Sequence, residues 1–272
     1  MQKKLIISID AGGIRGIIPL VILRAIQEKI PFNLSEKVHA WYGTSTGAVI
    51  AAGLLIQKQD DFHDAIQNVL DIYEFRSSSA INPFGTSEPS RALNKILNQN
   101  FGNHQFDSIQ NLHVVTCRLP EFEIEIFNKQ NNTNLATALK ATCAVPMIFK
   151  PVRIKQHDFV DGFIRAKNPS LLAIDEFLKQ REHVILLSLG TGILREVDEI
   201  ESEVRLTHKQ CEELEQAGKI TYFRFNPKLI EAEDNMQDTR LKNIFALKKD
   251  TENHLHEKRE KLQAFIQLIQ SL

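Results

Sequence analysis

The chain has 272 residues, of which 43% are hydrophobic and 25% charged, and its formal net charge is -1. These are values of an ordinary globular protein, long enough to bury a large core without disulfide or metal staples. The near-neutral charge excludes a protein that binds nucleic acid through a broadly basic surface, so we expect no nucleic-acid partner.

The three cysteines, Cys117, Cys143 and Cys211, are widely spaced and form no CxxC pair. This predicts reduced thiols rather than a disulfide framework or a zinc site, and hence a reducing compartment. The apolar run Leu5–Ile9 is too short for a signal peptide, and no run approaches the length of a membrane span. We therefore expect a soluble, cytoplasmic protein with at most transient peripheral contact with a membrane surface.

Strands are predicted, in chain order, at Leu5–Ile9, Val38–Tyr42, Leu112–Cys117, Phe122–Phe127, Asp158–Val160 and Val184–Leu189. Helical patterns lie at Leu20–Ile30, Ala48–Gln57, Phe62–Phe75, Arg91–Leu97, Leu135–Thr142 and Ser170–Lys179. Alternation of this kind indicates a largely parallel sheet covered by helices on both faces. The short PEFE segment after the third strand predicts a hairpin, so that part of the sheet is expected to be antiparallel.

Two segments keep two interpretations each. The segment Ser77–Ser90, rich in serine and proline, is either a plain connector or a flap over a site. From about Met236 the chain is helical and polar with one apolar stripe, which either packs on the domain or docks on a membrane or partner helix. We expect a single domain over residues 1–272, with its core motifs in 4–192 and a mostly helical extension in 193–272 packing on that core.

The first motif is SIDAGGIRGIIP, where the first strand runs into a turn of Ala11, Gly12 and Gly13 that opens a helix. Backbone N–H groups at such a turn face negative charge. The anion is either the phosphate of a bound nucleotide or an oxyanion that forms during a reaction.

The second motif is GTSTG, residues 43–47, at the next strand–helix junction. It matches G-x-S-x-G, in which the glycines let the backbone bend sharply and lift the serine, here Ser45, above the sheet edge. A side chain at Gly43 or Gly47 is expected to collide with the neighbouring strand or helix. A helix start capped by a serine looks similar in sequence, so that structural interpretation stays open.

A serine nucleophile needs a base. His183 precedes its strand and is therefore expected at the far end of a parallel sheet from Ser45. Asp161 follows a strand and is expected at the same edge as Ser45, with Gly162 allowing an unusual backbone angle behind it. We infer that Asp161 itself is the base. The oxyanion then needs donors already in place, which the turn at Gly12 and Gly13 would supply, while Arg15 would brace the loop or hold a substrate phosphate.

Together these motifs resemble the patatin-like phospholipase family. DAGGIRG is similar to the D-G-G-G-x-R-G of that family, GTSTG to its G-x-S-x-G, and Asp161-Gly162 to its D-G-[GA]. Further family-like blocks are ATCAVPMIFKPV, KNP and LSLGTG. This sequence departs from the family at two positions: Ala11 stands for the first glycine of the loop and Phe163 for the small residue after Asp-Gly.

The resemblance implies a three-layer α/β/α sandwich and lipid acyl hydrolysis by a serine–aspartate dyad, without metal, nucleotide or other cofactor. It makes Ser45 the nucleophile, Asp161 the base, and Gly12, Gly13 and Ile14 the oxyanion donors, with Arg15, Gly43, Gly47 and Gly162 in support. The substrate would be a phospholipid or a related acyl ester. A dry acyl cleft is expected to draw on Phe163, Met147, Ile148, Phe149 and the region around Phe84.

Two alternatives remain at this stage. One is a nucleotide-binding α/β enzyme in which the DAGGIRG turn holds a phosphate. The other is an effector of the same fold that degrades membranes when a nucleotide signal or a protein activates it.

Overall fold

The computed structural model describes residues 3–57, 61–75, 89–194 and 199–272. Its strands are β1 (Lys3–Ile9), β2 (Val38–Thr44), β3 (Leu112–Arg118), β4 (Glu123–Phe127), β5 (Val152–Ile154), β6 (His157–Asp161), β7 (His183–Leu189) and β8 (Ile220–Phe225). Its α-helices begin with α1 (Ile17–Gln27), α2 (Leu34–Lys37), α3 (Thr46–Ile56), α4 (Phe62–Phe75), α5 (Pro89–Phe101) and α6 (Leu135–Thr142). They continue with α7 (Phe163–Ala166), α8 (Ser170–Lys179), α9 (Glu199–Gln216), α10 (Leu241–Glu257) and α11 (Arg259–Gln270). Most of the predicted segment Ser77–Ser90, including Phe84, lies outside the described residues.

The described strands form one mixed sheet in the order β5-β6-β3-β2-β1-β7-β8, with β4 pairing to β3. The five strands from β3 to β8 along this order are parallel, and β4, β5 and β6 pair in antiparallel fashion. The predicted hairpin after β3 is therefore confirmed, whereas the sequence analysis did not predict β5, α9 or β8. The strand β8 extends the central sheet from within residues 193–272.

Helices cover both faces of the sheet because alternate residues of each strand are apolar on both sides. In β1, Leu5, Ile7 and Ile9 enter one buried cluster with α1, α3 and α10, while Ile6 enters a second cluster with α8. Strands buried on both faces read as continuous apolar runs, which is why they were visible in the sequence. The predicted three-layer α/β/α fold is confirmed.

The position of β6 brings two distant segments together. Val114 and Val115 of β3 pair with β2 and β4, whereas Thr116 pairs with β4 and β6. Because a strand has only two edges, β2 and β6 lie end to end along the same edge of β3. Their last residues pair with adjacent positions: Thr44 with Val115, and Asp161 with Thr116.

Candidate active site

Ser45 stands at the sharp turn between β2 and α3. Its φ of 54° and ψ of -121° form a conformation that non-glycine residues rarely adopt, and strain of this kind concentrates at functional sites. The Ser45 side chain makes no capping hydrogen bond to α3 and lines a cavity instead. The geometry thus favours an exposed hydroxyl over a helix-capping serine.

The two glycines of this turn are required by close packing. A Cβ on Gly43 would collide with the backbone of Gly47 and Ala48 at the start of α3. A Cβ on Gly47 would collide with the Ile9 carbonyl at the end of β1. The expected collisions with the neighbouring helix and strand are therefore present in the structure.

Asp161 lies at the end of β6 and is fully buried. Its Oδ1 accepts a hydrogen bond from the Phe163 N–H at 2.9 Å, and its Oδ2 has no partner among the described residues. Burial raises the pKa of Asp161 to about 7, although the Ser45 hydroxyl and the Phe163 N–H both lower it. The Ser45 hydroxyl therefore lies near the Asp161 carboxyl group.

Two reasons given for Asp161 in the sequence analysis were wrong. Its strand runs antiparallel to β3, so Asp161 reaches Ser45 because β2 and β6 meet end to end rather than because the strands are parallel. Gly162 has an ordinary helical φ of -66°. The glycine is needed for space, because a Cβ there would lie 2.5 Å from the Val115 carbonyl oxygen.

The glycine loop after β1 faces the same cavity. Gly13 has a φ of 58°, which favours glycine, and the chain then makes one 3-10 turn over Gly13–Gly16. Among the described residues, no acceptor pairs with the backbone N–H groups of Gly12 and Gly13. Ala11 needs no glycine, since its φ is not positive and its N–H and carbonyl are bonded to Lys167 and Thr191.

The expected role of Ile14 as an oxyanion donor is not supported by this arrangement. Its N–H donates to the Met236 carbonyl at 3.0 Å, so the group is already paired. Met236 comes from the segment between β8 and α10 and also lines the cavity. Of this loop, the amides of Gly12, which lines the cavity, and of Gly13 are left without an acceptor among the described residues.

Two buried cations stand beside the cavity. The Arg15 Nε donates to the Gly12 carbonyl at 3.3 Å and so braces the loop, while its Nη1 has no partner among the described residues. Burial lowers the pKa of Arg15 to about 10, and the carboxylates of Asp234 and Glu201 partly offset that. Lys167, also in the cavity wall, pairs with the buried Glu201 at 3.2 Å.

The cavity has a volume of about 210 Å³ and brings together Gly12, Arg15, Ser45 and Asp161. Its apolar wall includes Phe163, as expected, and Val145 and Met236. Of the other residues expected there, Met147 is fully exposed, and Phe149 packs in the apolar cluster behind the wall residues Val145, Phe163 and Met236. Neither these two nor Ile148 lines the cavity, because the chain turns outward at Met147, whose φ is 69°.

No histidine contributes to the described wall of this cavity. His183 lies at the start of β7, opposite Lys3, and its Nε2 is hydrogen-bonded to the Thr221 hydroxyl at 2.9 Å. The exclusion of His183 is thus consistent with its position at the far end of the sheet. In the described part of the chain, no three His, Cys, Asp or Glu side chains group as a metal site would require.

A buried ion pair lies beneath the glycine loop. Arg224 of β8 donates to both carboxylate oxygens of Asp10, at 2.6 and 3.3 Å, and to the Ser188 hydroxyl at 2.6 Å. Asp10 directly precedes the loop. The bidentate pair therefore fastens the start of the loop to the C-terminal part of the sheet.

The patatin-like phospholipase family model matches residues 7–174, more than half of the chain. The chain belongs to the patatin-like phospholipase family. The matched range contains the glycine loop, the Ser45 turn and Asp161. Membership of this family supports a lipid acyl hydrolase as the general class of activity.

Relatives share modest identity with this patatin-like protein. It is 24% identical to Patatin group D-3 of Solanum tuberosum, over 92% of this chain and 74% of that protein. It is 25% identical to the cUMP-AMP-activated phospholipase of Escherichia coli, over 70% of this chain and 65% of that protein. It is 26% identical to the intracellular phospholipase A2 of Caenorhabditis elegans, over 69% of this chain but only 19% of that protein.

Among solved structures, the human GIVD cytosolic phospholipase A2 superposes with a TM-score of 0.56 at 9% identity. The match covers 98% of this chain and 60% of that chain, and it supports the fold. Within the described residues, no helix has the length and apolar character needed to cross a membrane.

Several residues at this site were not predicted from the sequence. Lys167, Asp234, Met236 and Arg224 reach the cavity or the loop from distant segments. Lys167 belongs to the family-like block KNP, whereas no role was predicted for the other three.

Proposed function

We propose that this protein hydrolyses acyl esters of phospholipids or related lipids, with Ser45 as nucleophile and Asp161 as base. The observation that carries the proposal is that Ser45, Asp161 with its unpartnered Oδ2, and Gly12 of the glycine loop line one cavity. A pKa of about 7 suits Asp161 to accept and return a proton near neutral pH.

In the first half of the reaction, Ser45 Oγ attacks the ester carbonyl carbon and its proton passes to Asp161. The negative charge that develops on the carbonyl oxygen is met by the N–H groups of Gly12 and Gly13. The bond to the lipid alcohol then breaks, and the alcohol leaves with the proton held by Asp161. An acyl ester of Ser45 remains.

In the second half, a water molecule attacks the acyl ester and gives its proton to Asp161. The fatty acid leaves, and the proton returns to Ser45 Oγ. The unpartnered Nη1 of Arg15 is placed to contact a phosphate of the substrate, and the substrate itself would come from a transiently contacted membrane surface.

The nucleotide alternative is less well supported. Met236 covers the glycine turn, since its carbonyl accepts the Ile14 N–H and a Cβ on Gly13 would collide with it. Ser45 and Asp161 would have no role in holding a phosphate. An oxyanion formed at Ser45 accounts for all three motifs together.

The contact between the Met236 carbonyl and the Ile14 N–H also suggests how a signal would activate the protein. The related E. coli phospholipase is named for its activation by cUMP-AMP, and here the Met236 segment pairs with a loop amide. We propose that displacement of this segment by a nucleotide or protein activator would free the Ile14 N–H for the oxyanion.

Hydrolysis of a soluble fluorogenic short-chain ester and of phospholipid vesicles tests the proposal. Ser45→Ala and Asp161→Asn should each lower the turnover rate by about 10³-fold or more. The matched controls are Ser108→Ala on the surface and Asp158→Asn in the same strand as Asp161, and both should retain the wild-type rate.

A fluorophosphonate probe, which phosphonylates activated serines, gives a second measure that needs no lipid. The wild-type protein should be labelled at Ser45, as located by peptide mass spectrometry. Full hydrolysis by either site variant would contradict the serine–aspartate mechanism, as would labelling at another serine.

A further inference from the structure

The backbone N–H of Ser45 is missing from the ladder between β2 and β3. In that ladder the Trp41 N–H donates to the Asn111 carbonyl at 2.7 Å. Parallel strands repeat such bonds every two residues, so four residues later the Ser45 N–H would face the Val115 carbonyl. Instead, the chain at Ser45 turns out of the strand.

The hydroxyl of Thr142 stands between these two groups. Thr142 Oγ1 accepts the Ser45 N–H at 2.8 Å and donates its own proton to the Val115 carbonyl at 2.5 Å. A hydroxyl has one proton to donate, and the Ser45 amide can only donate, so the direction of both bonds is fixed. The Thr142 hydroxyl therefore bridges the Ser45 N–H and the Val115 carbonyl, which in a continued ladder would bond directly to each other.

The surroundings of Thr142 fix the position of its hydroxyl between the two groups. It is the last residue of α6 and is fully buried. Its partners lie 97 and 27 residues away in the sequence: Ser45 directly follows β2, and Val115 lies in the middle of the adjacent β3. The Thr142 hydroxyl thus ties α6 to the sheet at the position where β2 ends.

We infer that Thr142 is a positioning residue that sets how far Ser45 stands above the sheet. The inference rests on the proposed function, in which Ser45 is the nucleophile. Without the hydroxyl, the Ser45 N–H either pairs directly with the Val115 carbonyl, which draws Ser45 back toward the sheet, or stays buried and unpaired. Either result moves the serine relative to Asp161 and the glycine loop.

The same bond has a second consequence for the site. Because its N–H is committed to Thr142, Ser45 cannot donate that group to an oxyanion. The oxyanion donors must then come from elsewhere, which fits the unpaired amides of Gly12 and Gly13. Thr142 thus separates the placement of the nucleophile from the binding of the developing charge.

The test compares Thr142→Val, which removes the hydroxyl at nearly constant volume, with Thr142→Ser, which keeps it. On a soluble ester, Thr142→Val should lower kcat by about 100-fold, the cost of a misplaced reacting group, with KM changed much less. Thr142→Ser should recover most of that loss. The rate of fluorophosphonate labelling at Ser45 should change in parallel.

Thr251→Val is the matched control. Thr251 is also fully buried, and its hydroxyl donates to the Leu247 carbonyl within α10. This variant loses a buried hydroxyl and its hydrogen bond far from the site and should keep wild-type kcat. If Thr142→Val does not fold, Thr142→Cys provides a weaker donor and acceptor and should give an intermediate kcat.

The pH profile distinguishes positioning from simple destabilisation. The Ser45 hydroxyl lowers the pKa of Asp161, so displacing Ser45 should move the acid limb of the kcat profile to higher pH. Thr251→Val should leave that limb in place. A folded Thr142→Val protein with wild-type kcat and an unmoved acid limb would overturn the inference, whereas undiminished hydrolysis by Ser45→Ala would overturn the proposed function beneath it.

Discussion

At the scale of single residues, Asp161 shows how burial shapes the candidate chemistry. A carboxyl group removed from water favours its neutral form, and here burial outweighs the stabilising contacts of Ser45 and the Phe163 N–H. The proposed base is therefore ionised only as the pH rises through about 7. The same burial makes the ionised form costly for the folded protein.

Because burial of the ionised Asp161 carboxylate is unfavourable, we predict that Asp161→Asn stabilises the protein while abolishing its activity. The folded pKa lies above the unfolded value, so the native state binds the extra proton and wild-type stability falls as pH rises from about 4 to 7. An asparagine does not titrate. The gain in unfolding free energy should therefore be about 2–3 kcal/mol larger at pH 8 than at pH 5, measured by chemical denaturation.

Asp158→Asn is the control for this measurement. Asp158 lies in the same strand but at the surface, where it pairs with Arg153 at 3.1 Å. The control makes the same exchange of side chains without removing a buried carboxyl group. A gain for Asp161→Asn that is equal at both pH values would show that burial does not control its ionisation.

At the scale of elements, the site depends on two strands that meet end to end. The turn after Asp161 packs against both neighbouring strands: a Cβ on Gly162 would lie 2.5 Å from the Val115 carbonyl oxygen of β3 and 3.1 Å from the Thr44 side chain at the end of β2. The backbone of Gly162 itself is unstrained. Space rather than conformation therefore requires the glycine.

Gly162→Ala should accordingly reduce both activity and stability. The added methyl forces the turn away from β3, at a cost of about 1–3 kcal/mol, and displaces Asp161 from Ser45. Gly218→Ala provides the contrast, because Gly218 has a φ of 69° but nothing within 4 Å of the added carbon. It should lose about 1–2 kcal/mol and keep wild-type kcat; an active Gly162→Ala would contradict this account of the turn.

The sequence allowed prediction of the parts of the site that are encoded locally. The Ser45 turn and the glycine loop each need special backbone geometry within a few residues, and that need leaves a pattern. Asp161 was found through its position after a strand, although the direction of that strand was wrong. Thr142 and Arg224 could not be found in this way, because their partners lie 97 and 214 residues away and only folding brings them together.

The inner strands of the sheet could be predicted from the sequence more readily than the edge strands and the polar helix α9. Strands β1, β2, β3 and β7 are buried on both faces and so appear as apolar runs. The short β5 and the polar α9 carry weaker patterns. In β8, Thr221, Tyr222 and Arg224 interrupt the apolar run. Arg224 is nevertheless buried, because it pairs with Asp10.

At the scale of the whole molecule, one exposed apolar side chain lies close in sequence to the cavity wall. Met147 is fully exposed and follows Val145 of that wall by two residues. Its φ is 69°, and its apolar side chain stands in water. Such a side chain is suited to contact the acyl region of a membrane surface.

Met147→Gln should therefore lower hydrolysis of phospholipid vesicles several-fold and leave hydrolysis of a soluble short-chain ester unchanged. Vesicle co-sedimentation should fall in parallel. Leu272→Gln is the control: this exposed leucine lies two residues after Gln270, whose side chain donates to the Lys29 carbonyl beyond the C-terminal end of α1. Equal losses on both substrates would indicate damage to the site rather than to membrane contact.

The pairing of Asp10 with Arg224 limits how far the molecule can be shortened. Residues 7–174 contain the glycine loop, the Ser45 turn and Asp161, yet a fragment restricted to them would lack β7 and β8 and with them the guanidinium that neutralises Asp10. A lone carboxylate would then remain in the interior directly beneath the loop meant to receive negative charge, and loss of one partner of such a pair costs about 3–5 kcal/mol. The shortest active fragment must therefore include β8, because Arg224 of that strand supplies the positive charge that the buried Asp10 carboxylate requires.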